Sequence, residues 1–114
     1  MENNNATGGL KEMSVQELKD LQDSGDDYVL IDVRNEDEFK FCNLGGKLIP
    51  MSKITERFKE IPKDKKVVIH CHHGGRSKKV IAWMQDEHGY ENLYNLTGGI
   101  HKWSEEIDTS IPIY

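Results

Sequence analysis

The sequence predicts an α/β domain built on a mainly parallel sheet of about five strands, flanked by helices on both faces. Two observations carry this expectation. Short, β-branched apolar runs alternate with segments of helical periodicity, and turn residues punctuate the junctions between them. The 114 residues suit one domain with a core of its own. The opening run Met1-Glu2-Asn3-Asn4-Asn5-Ala6-Thr7-Gly8-Gly9 is polar and Gly-rich, which predicts a loose arm over 1–9 and a folded domain over 10–114.

The elements follow in order. Ser14 with Glu17 forms a capping box ahead of an amphipathic helix whose apolar face is Val15, Leu18 and Leu21, ended by Asp23-Ser24-Gly25-Asp26. Tyr28 to Val33 has the composition of a buried strand. Asn35 caps a short helix through Phe39, whose acidic first turn (Glu36, Asp37, Glu38) suits the positive end of the helix dipole and reads as solvated. Gly45-Gly46 turns the chain into a brief strand at Leu48-Ile49, stopped by Pro50. Ser52 is expected to cap a helix through about Phe58, and Pro62 closes that unit.

Val67 to Cys71 is the next strand. Gly75 to His88 is helical, with Val80, Ile81 and Met84 inward and Gly89 as its C-terminal cap. Leu93 to Leu96 is a further strand, and Thr97-Gly98-Gly99 opens a last helix carrying Ile100, Trp103 and Ile107. Trp83 and Trp103 fall on helices as packing residues, and His88 and His101 are expected at the surface.

Composition narrows the function. Fifteen basic against twenty acidic residues leave a formal net charge of −5, which argues against nucleic acid or an anionic membrane surface as the main partner. No apolar run approaches spanning length, and the N-terminus lacks the basic and apolar regions of a secretory signal. Two cysteines in different settings do not make a disulfide framework, and a reducing cytoplasmic location is the expectation.

The chemistry concentrates in Cys71-His72-His73-Gly74-Gly75-Arg76-Ser77. Cys71 stands where a strand ends and a helix is about to begin, so backbone N–H groups and the helix dipole favour an anion there. Gly74 and Gly75 are expected to curl the backbone with positive φ, and Arg76 to turn a cationic fork toward the same cradle. A thiol so placed is partly thiolate at neutral pH. A buried structural cysteine would not need this polar loop behind it.

His72 and His73 are expected to line the cradle as polar walls, with His70 a strand residue holding a satisfied hydrogen bond. No second ligand cluster completes a metal set in the sequence, so no metal and no organic cofactor are expected. Ligands of such sheets bind outside the carboxyl ends of the strands. Asp32 and Arg34 at one strand end, and Thr97-Gly98-Gly99 at another, could therefore converge with Cys71; Asp32 and Arg34 read chiefly as a structural pair. Cys42 is expected to pack near the opposite end of the sheet from Cys71.

Four stretches together resemble a single-domain rhodanese-like sulfurtransferase. They are Leu30-Ile31-Asp32-Val33-Arg34 with Glu38-Phe39, then Leu44 to Pro50, the Cys71–Ser77 loop, and Asn95-Leu96-Thr97-Gly98-Gly99-Ile100 with Trp103. One departure is Cys42-Asn43, where the family usually has Gly-His. The resemblance implies a cysteine that carries a persulfide between a small anionic sulfur donor such as thiosulfate and a thiol or cyanide acceptor, with a sulfur-relay protein as a further partner. Two other functions compete: a cysteine-dependent phosphatase or arsenate reductase, and a catalytically idle interaction module. Four residues separate Cys71 from Arg76, one fewer than those oxyanion enzymes use, and the tighter ring suits a persulfide.

Overall fold

The computed structural model describes residues 9–114; the predicted arm lies outside them except for Gly9, whose carbonyl accepts from Gln85 Nε2 at 3.3 Å. Five parallel strands form one sheet in the order β1-β5-β4-β2-β3, namely β1 Glu12–Met13, β2 Tyr28–Asp32, β3 Lys47–Leu48, β4 Lys66–His70 and β5 Leu93–Leu96. Five helices, α1 Val15–Ser24, α2 Glu36–Phe41, α3 Ile54–Arg57, α4 Gly75–His88 and α5 Gly99–Glu106, connect or follow them.

Strand side chains alternate between the two faces, so each inner strand feeds two cores. Leu30 and Val68 pack with Val15 and Leu18 of α1 and Trp103 of α5. Ile31, Val67 and Ile69 pack with Ile54 of α3 and with Val80, Ile81 and Met84 of α4. Burial on both sides explains the nearly continuous apolar strands.

The elements match the expectation closely, with local corrections. β1 was not anticipated: two residues on a sheet edge carry no periodicity, and their pairing with Asn95 and Leu96 is long-range. α2 runs two residues beyond Phe39, and β3 lies one residue earlier than expected, with Ile49 N–H donating to the Asp32 carbonyl at 2.9 Å. Ser52 caps nothing. It lies inside a 3₁₀ turn, Met51–Lys53, that follows Pro50 and leads into a four-residue α3, itself followed by a second 3₁₀ turn at Phe58–Glu60. His88 is no free surface group, because its ring stacks on Phe58 at 3.8 Å.

Candidate active site

Cys71 follows the last residue of β4 and is 1% exposed. The chain then turns through Gly74, at φ 114°, directly into α4. Such a φ suits glycine alone. Gly75 does not share it; the curl comes from Gly74, and Gly75 is already the first residue of α4. Gly74 N–H donates to Cys71 Sγ at 3.1 Å, and the Ser77 hydroxyl lies 3.5 Å from the sulfur. Burial alone would push the thiol up. Hydrogen bonds from the Ser77 hydroxyl and from the backbone N–H groups of Ser77, Gly74 and Arg76 outweigh it and hold Cys71 below the ordinary thiol range. The first turn of α4 thus supplies the anion's partners.

Ser77 is itself held. It is fully buried, close to the Gly74 carbonyl at 3.1 Å and hydrogen-bonded to Asn95 Oδ1. Asn95 Nδ2 in turn donates to Glu12 Oε1 at 3.1 Å, which also accepts from Thr97 Oγ1 at 2.7 Å. A line of polar contacts therefore runs from edge strand β1 to the sulfur.

The expected approach to Cys71 is seen for the Gly98-Gly99 segment, whereas Asp32 and Arg34 hold chiefly to each other. Ile100 and His101 N–H groups at the start of α5 donate to the carbonyls of Cys71 and His72 at 3.0 and 3.1 Å. Gly99 sits so close that a Cβ there would lie 2.6 Å from the Cys71 carbonyl oxygen and nearer still to that of His72. Gly98 precedes α5 at its N-cap position. Asp32 and Arg34 form a fully buried ion pair at 2.7 Å. Arg34 further donates to the Cys42 carbonyl at 2.7 Å and to Tyr114 Oη at 2.8 Å. Burial works against its charge, but the bonds to Asp32 and Tyr114 raise its pKa nonetheless. This pair builds the floor between β2, α2 and the C-terminal segment.

Other expectations need correction. The Arg76 fork does not turn to the sulfur; it holds the Glu38 carboxylate at 2.7 and 2.9 Å, and what Arg76 brings to Cys71 is its backbone N–H. Glu38 is accordingly no solvated helix-start acid. The Arg76 bond, aided by the Asn35 backbone N–H and Tyr114, outweighs burial and lowers its pKa to about 2. Cys42 lies on the carboxyl-end side with Arg34, not at the far end, because α2 runs along that edge; both cysteines are free. Asn43 builds the departing turn, accepting from Gly45 N–H at 2.8 Å and donating to the Phe39 carbonyl at 3.1 Å. His70 is buried, which pushes its pKa down; its Nδ1 has a 3.4 Å contact with the Cys71 carbonyl, while Nε2 lies 3.7 Å from Asp32 Oδ2 and has no hydrogen-bond partner among the described residues.

Two site residues carried no signal in the sequence. The Tyr114 ring stacks on His72 at 3.8 Å with 3° between planes, and its hydroxyl donates to Glu38 Oε2 at 2.9 Å. Burial foremost raises the Tyr114 hydroxyl to about 12. His101, expected at the surface, stands beside His73 with ring centroids 4.7 Å apart. Both reach the loop through long-range folding, Tyr114 from a segment without a motif and His101 from an unmarked position between Ile100 and Trp103.

Fold and loop define a small open α/β domain whose buried cysteine lies outside the carboxyl ends of parallel strands. The chain belongs to the rhodanese-like domain family, whose model matches residues 14–106. It is 35% identical over 113 residues to the rhodanese-like/PpiC domain-containing protein 12, chloroplastic, of Arabidopsis thaliana, covering 92% of this chain and 38% of that one. A protein named sulfurtransferase from Allochromatium vinosum is 34% identical over 96 residues, covering 83% of this chain and 89% of that one. A rhodanese-like domain protein from Staphylococcus aureus shares the fold with a TM-score of 0.77 at 29% identity, covering 86% of this chain and 95% of that chain. The chain spans only 23–38% of the length of the first curated relatives it matches, among them a tRNA uridine(34) hydroxylase of Bdellovibrio bacteriovorus that is 43% identical over 86 residues, covering 70% of this chain and 24% of that one. Among the described residues, no helix is long and apolar enough to cross a membrane.

Proposed function

We propose that this domain is a sulfurtransferase in which Cys71 carries a persulfide. The observation that bears most weight is the Gly74 N–H donating to Cys71 Sγ, in a loop where the N–H groups of Arg76 and Ser77 also favour the anion. These donors suit a thiolate and, after loading, a persulfide anion. The Cys71 thiolate attacks the outer sulfur of thiosulfate, the S–S bond of the donor breaks, and sulfite leaves with the electron pair. Cyanide or a thiolate then attacks the terminal sulfur of the persulfide and releases the Cys71 thiolate, giving ping-pong kinetics. Another persulfide donor would use the same steps. No group in this cycle requires a metal or an organic cofactor.

The Allochromatium relative named sulfurtransferase, which this chain covers almost end to end, supports the reading. So does the loop length, since four residues between Cys71 and Arg76 make a tight ring. Arg76 acts in this scheme as a positioning residue, fixing the mouth through Glu38. The test is intact mass after incubation with thiosulfate, followed by a thiocyanate assay on adding cyanide. A gain of one sulfur, absent in Cys71→Ser, supports the reading. No adduct, together with turnover of a phosphate ester, overturns it.

A further inference from the structure

The loop's two histidines acquire a third from α5. His72, His73 and His101 each offer a ring nitrogen, and these atoms all lie within 4.8 Å of one another. Two of the nitrogens nearby are orphans: His72 Nε2 and His101 Nδ1 are buried and have no hydrogen-bond partner among the described residues. Buried polar atoms are seldom left so, and each such atom calls for an explanation.

The surroundings fix the rings as ligand sites are commonly fixed. His101 Nε2 lies 3.5 Å from the Glu105 carboxylate one turn along α5, which leaves Nδ1 as the unpaired atom. A carboxylate on the far nitrogen orients a metal-binding imidazole and raises its basicity. His72 is clamped from outside by the stacked Tyr114 ring, and its backbone carbonyl is tied to the His101 N–H at 3.1 Å. His73 is the exposed member, so an ion has a way in from solvent.

We infer that His72, His73 and His101 form a binding site for a divalent first-row transition ion, of which zinc is the natural probe. Imidazole nitrogens suit such ions, and three of them leave one tetrahedral position open for water or an anion. Zn–N bonds of about 2.0–2.1 Å put tetrahedral ligand atoms about 3.3 Å apart. The nitrogens therefore close by at most about 1.5 Å on binding, a movement to which the exposed His73 side chain contributes most readily. Occupancy would place a positive charge on the wall of the loop, one residue from Cys71. This site stands independently of the sulfur-transfer reading, because it uses none of the groups that hold the sulfur.

The test uses the full, untagged chain freed of metal by chelation and titrated with Co²⁺, then with Zn²⁺. We expect saturable binding of one equivalent, visible d–d absorption of a low-coordinate Co²⁺ site, and its displacement by Zn²⁺. His101→Gln removes a ligand and should weaken binding by more than the roughly tenfold to hundredfold that loss of an outer-shell partner costs, with the metal-free circular dichroism unchanged. His73→Asn, a change at an exposed residue, should do the same if His101→Gln fails to fold. Cys71→Ser should bind as the parent does. Absence of saturable binding overturns the inference, as does full binding by both histidine variants. A sulfur-to-cobalt charge-transfer band that vanishes in Cys71→Ser also overturns it, since the thiolate would then be the ligand.

Discussion

The Arg76 guanidinium grips Glu38 with both terminal nitrogens, Nη1 to Oε1 at 2.7 Å and Nη2 to Oε2 at 2.9 Å. The pair joins the first turn of α4 to α2 across the side of the candidate site. It also sets the local charge, because the loop's only arginine is neutralised by its partner. The two residues should therefore have opposite effects on an anionic donor. Arg76→Ala leaves the Glu38 charge without its cationic partner and should raise KM for thiosulfate by about fivefold to tenfold, the equivalent of roughly 1–1.4 kcal/mol. Glu38→Gln frees the cation and should lower it. Steady-state kinetics check both, and a rise in KM in both variants would give the pair a purely structural role.

The same pair makes stability depend on acid. Glu38 has a folded pKa of about 2 against an ordinary value of 4.5. A carboxylate depressed by folding contributes stability that is fully present above its unfolded pKa and lost as pH falls through its folded one. The contribution of Glu38 should thus fade between pH 4.5 and about 2. Denaturant titrations across that window should show a steeper decline for the parent than for Glu38→Gln. Parallel curves would remove Glu38 from the acid response.

Ser77 holds the sulfur and is itself held by Asn95. Ser77→Ala removes a donor from the thiolate and should move the midpoint of a pH–alkylation profile of Cys71, measured on metal-free protein, upward. The hydroxyl has one proton, which goes to Asn95 Oδ1 while Cys71 is a thiol and is drawn to Sγ when it is a thiolate. In the thiol form Ser77→Ala therefore also deprives Oδ1 of its donor, for a stability loss of about 1–3 kcal/mol. An unmoved midpoint would assign the depressed pKa to the backbone donors alone.

Asp32 and Arg34 should prove structural first. Asp32→Ala strands a buried guanidinium, and losing one member of such a pair costs about 3–5 kcal/mol. We expect a marked drop in the denaturation midpoint. A loss of activity with stability unchanged would instead place Asp32 in the chemistry.

Much of this was legible in the sequence, and the failures share a cause. Gly75 to His88 and Leu93 to Leu96 were readable to the residue, because periodicity and a glycine cap mark them locally. The loop around Cys71 was readable because the thiol's partners are backbone groups of the next few residues. Arg76 was misread because its partner lies on another helix, and a fork beside an anion site is equally ready for a carboxylate. Tyr114 lies outside every motif, His101 sits inside the Asn95–Trp103 stretch at a position that marks no role, and Glu12 reaches Asn95 only through the pairing of β1 with β5.

Gly99 tests how tightly the second wall is built. Its φ is +60° and a Cβ would press on the carbonyls of Cys71 and His72. Gly99→Ala should cost about 1–3 kcal/mol from backbone conformation, plus whatever displacement of the loop relieves the clash. Calorimetry beside the sulfur-loading assay would show both effects. A variant as stable and as active as the parent would mean that α5 moves freely against the loop.

The near-complete burial of Cys71, at 1% exposure, imposes an order on whatever reaches it. A thiol so enclosed meets a reagent only as the loop around it gives way, so its alkylation should slow as the reagent grows bulkier. Under the proposed sulfur transfer, the same enclosure would rank acceptors by girth before chemistry ranks them by nucleophilicity.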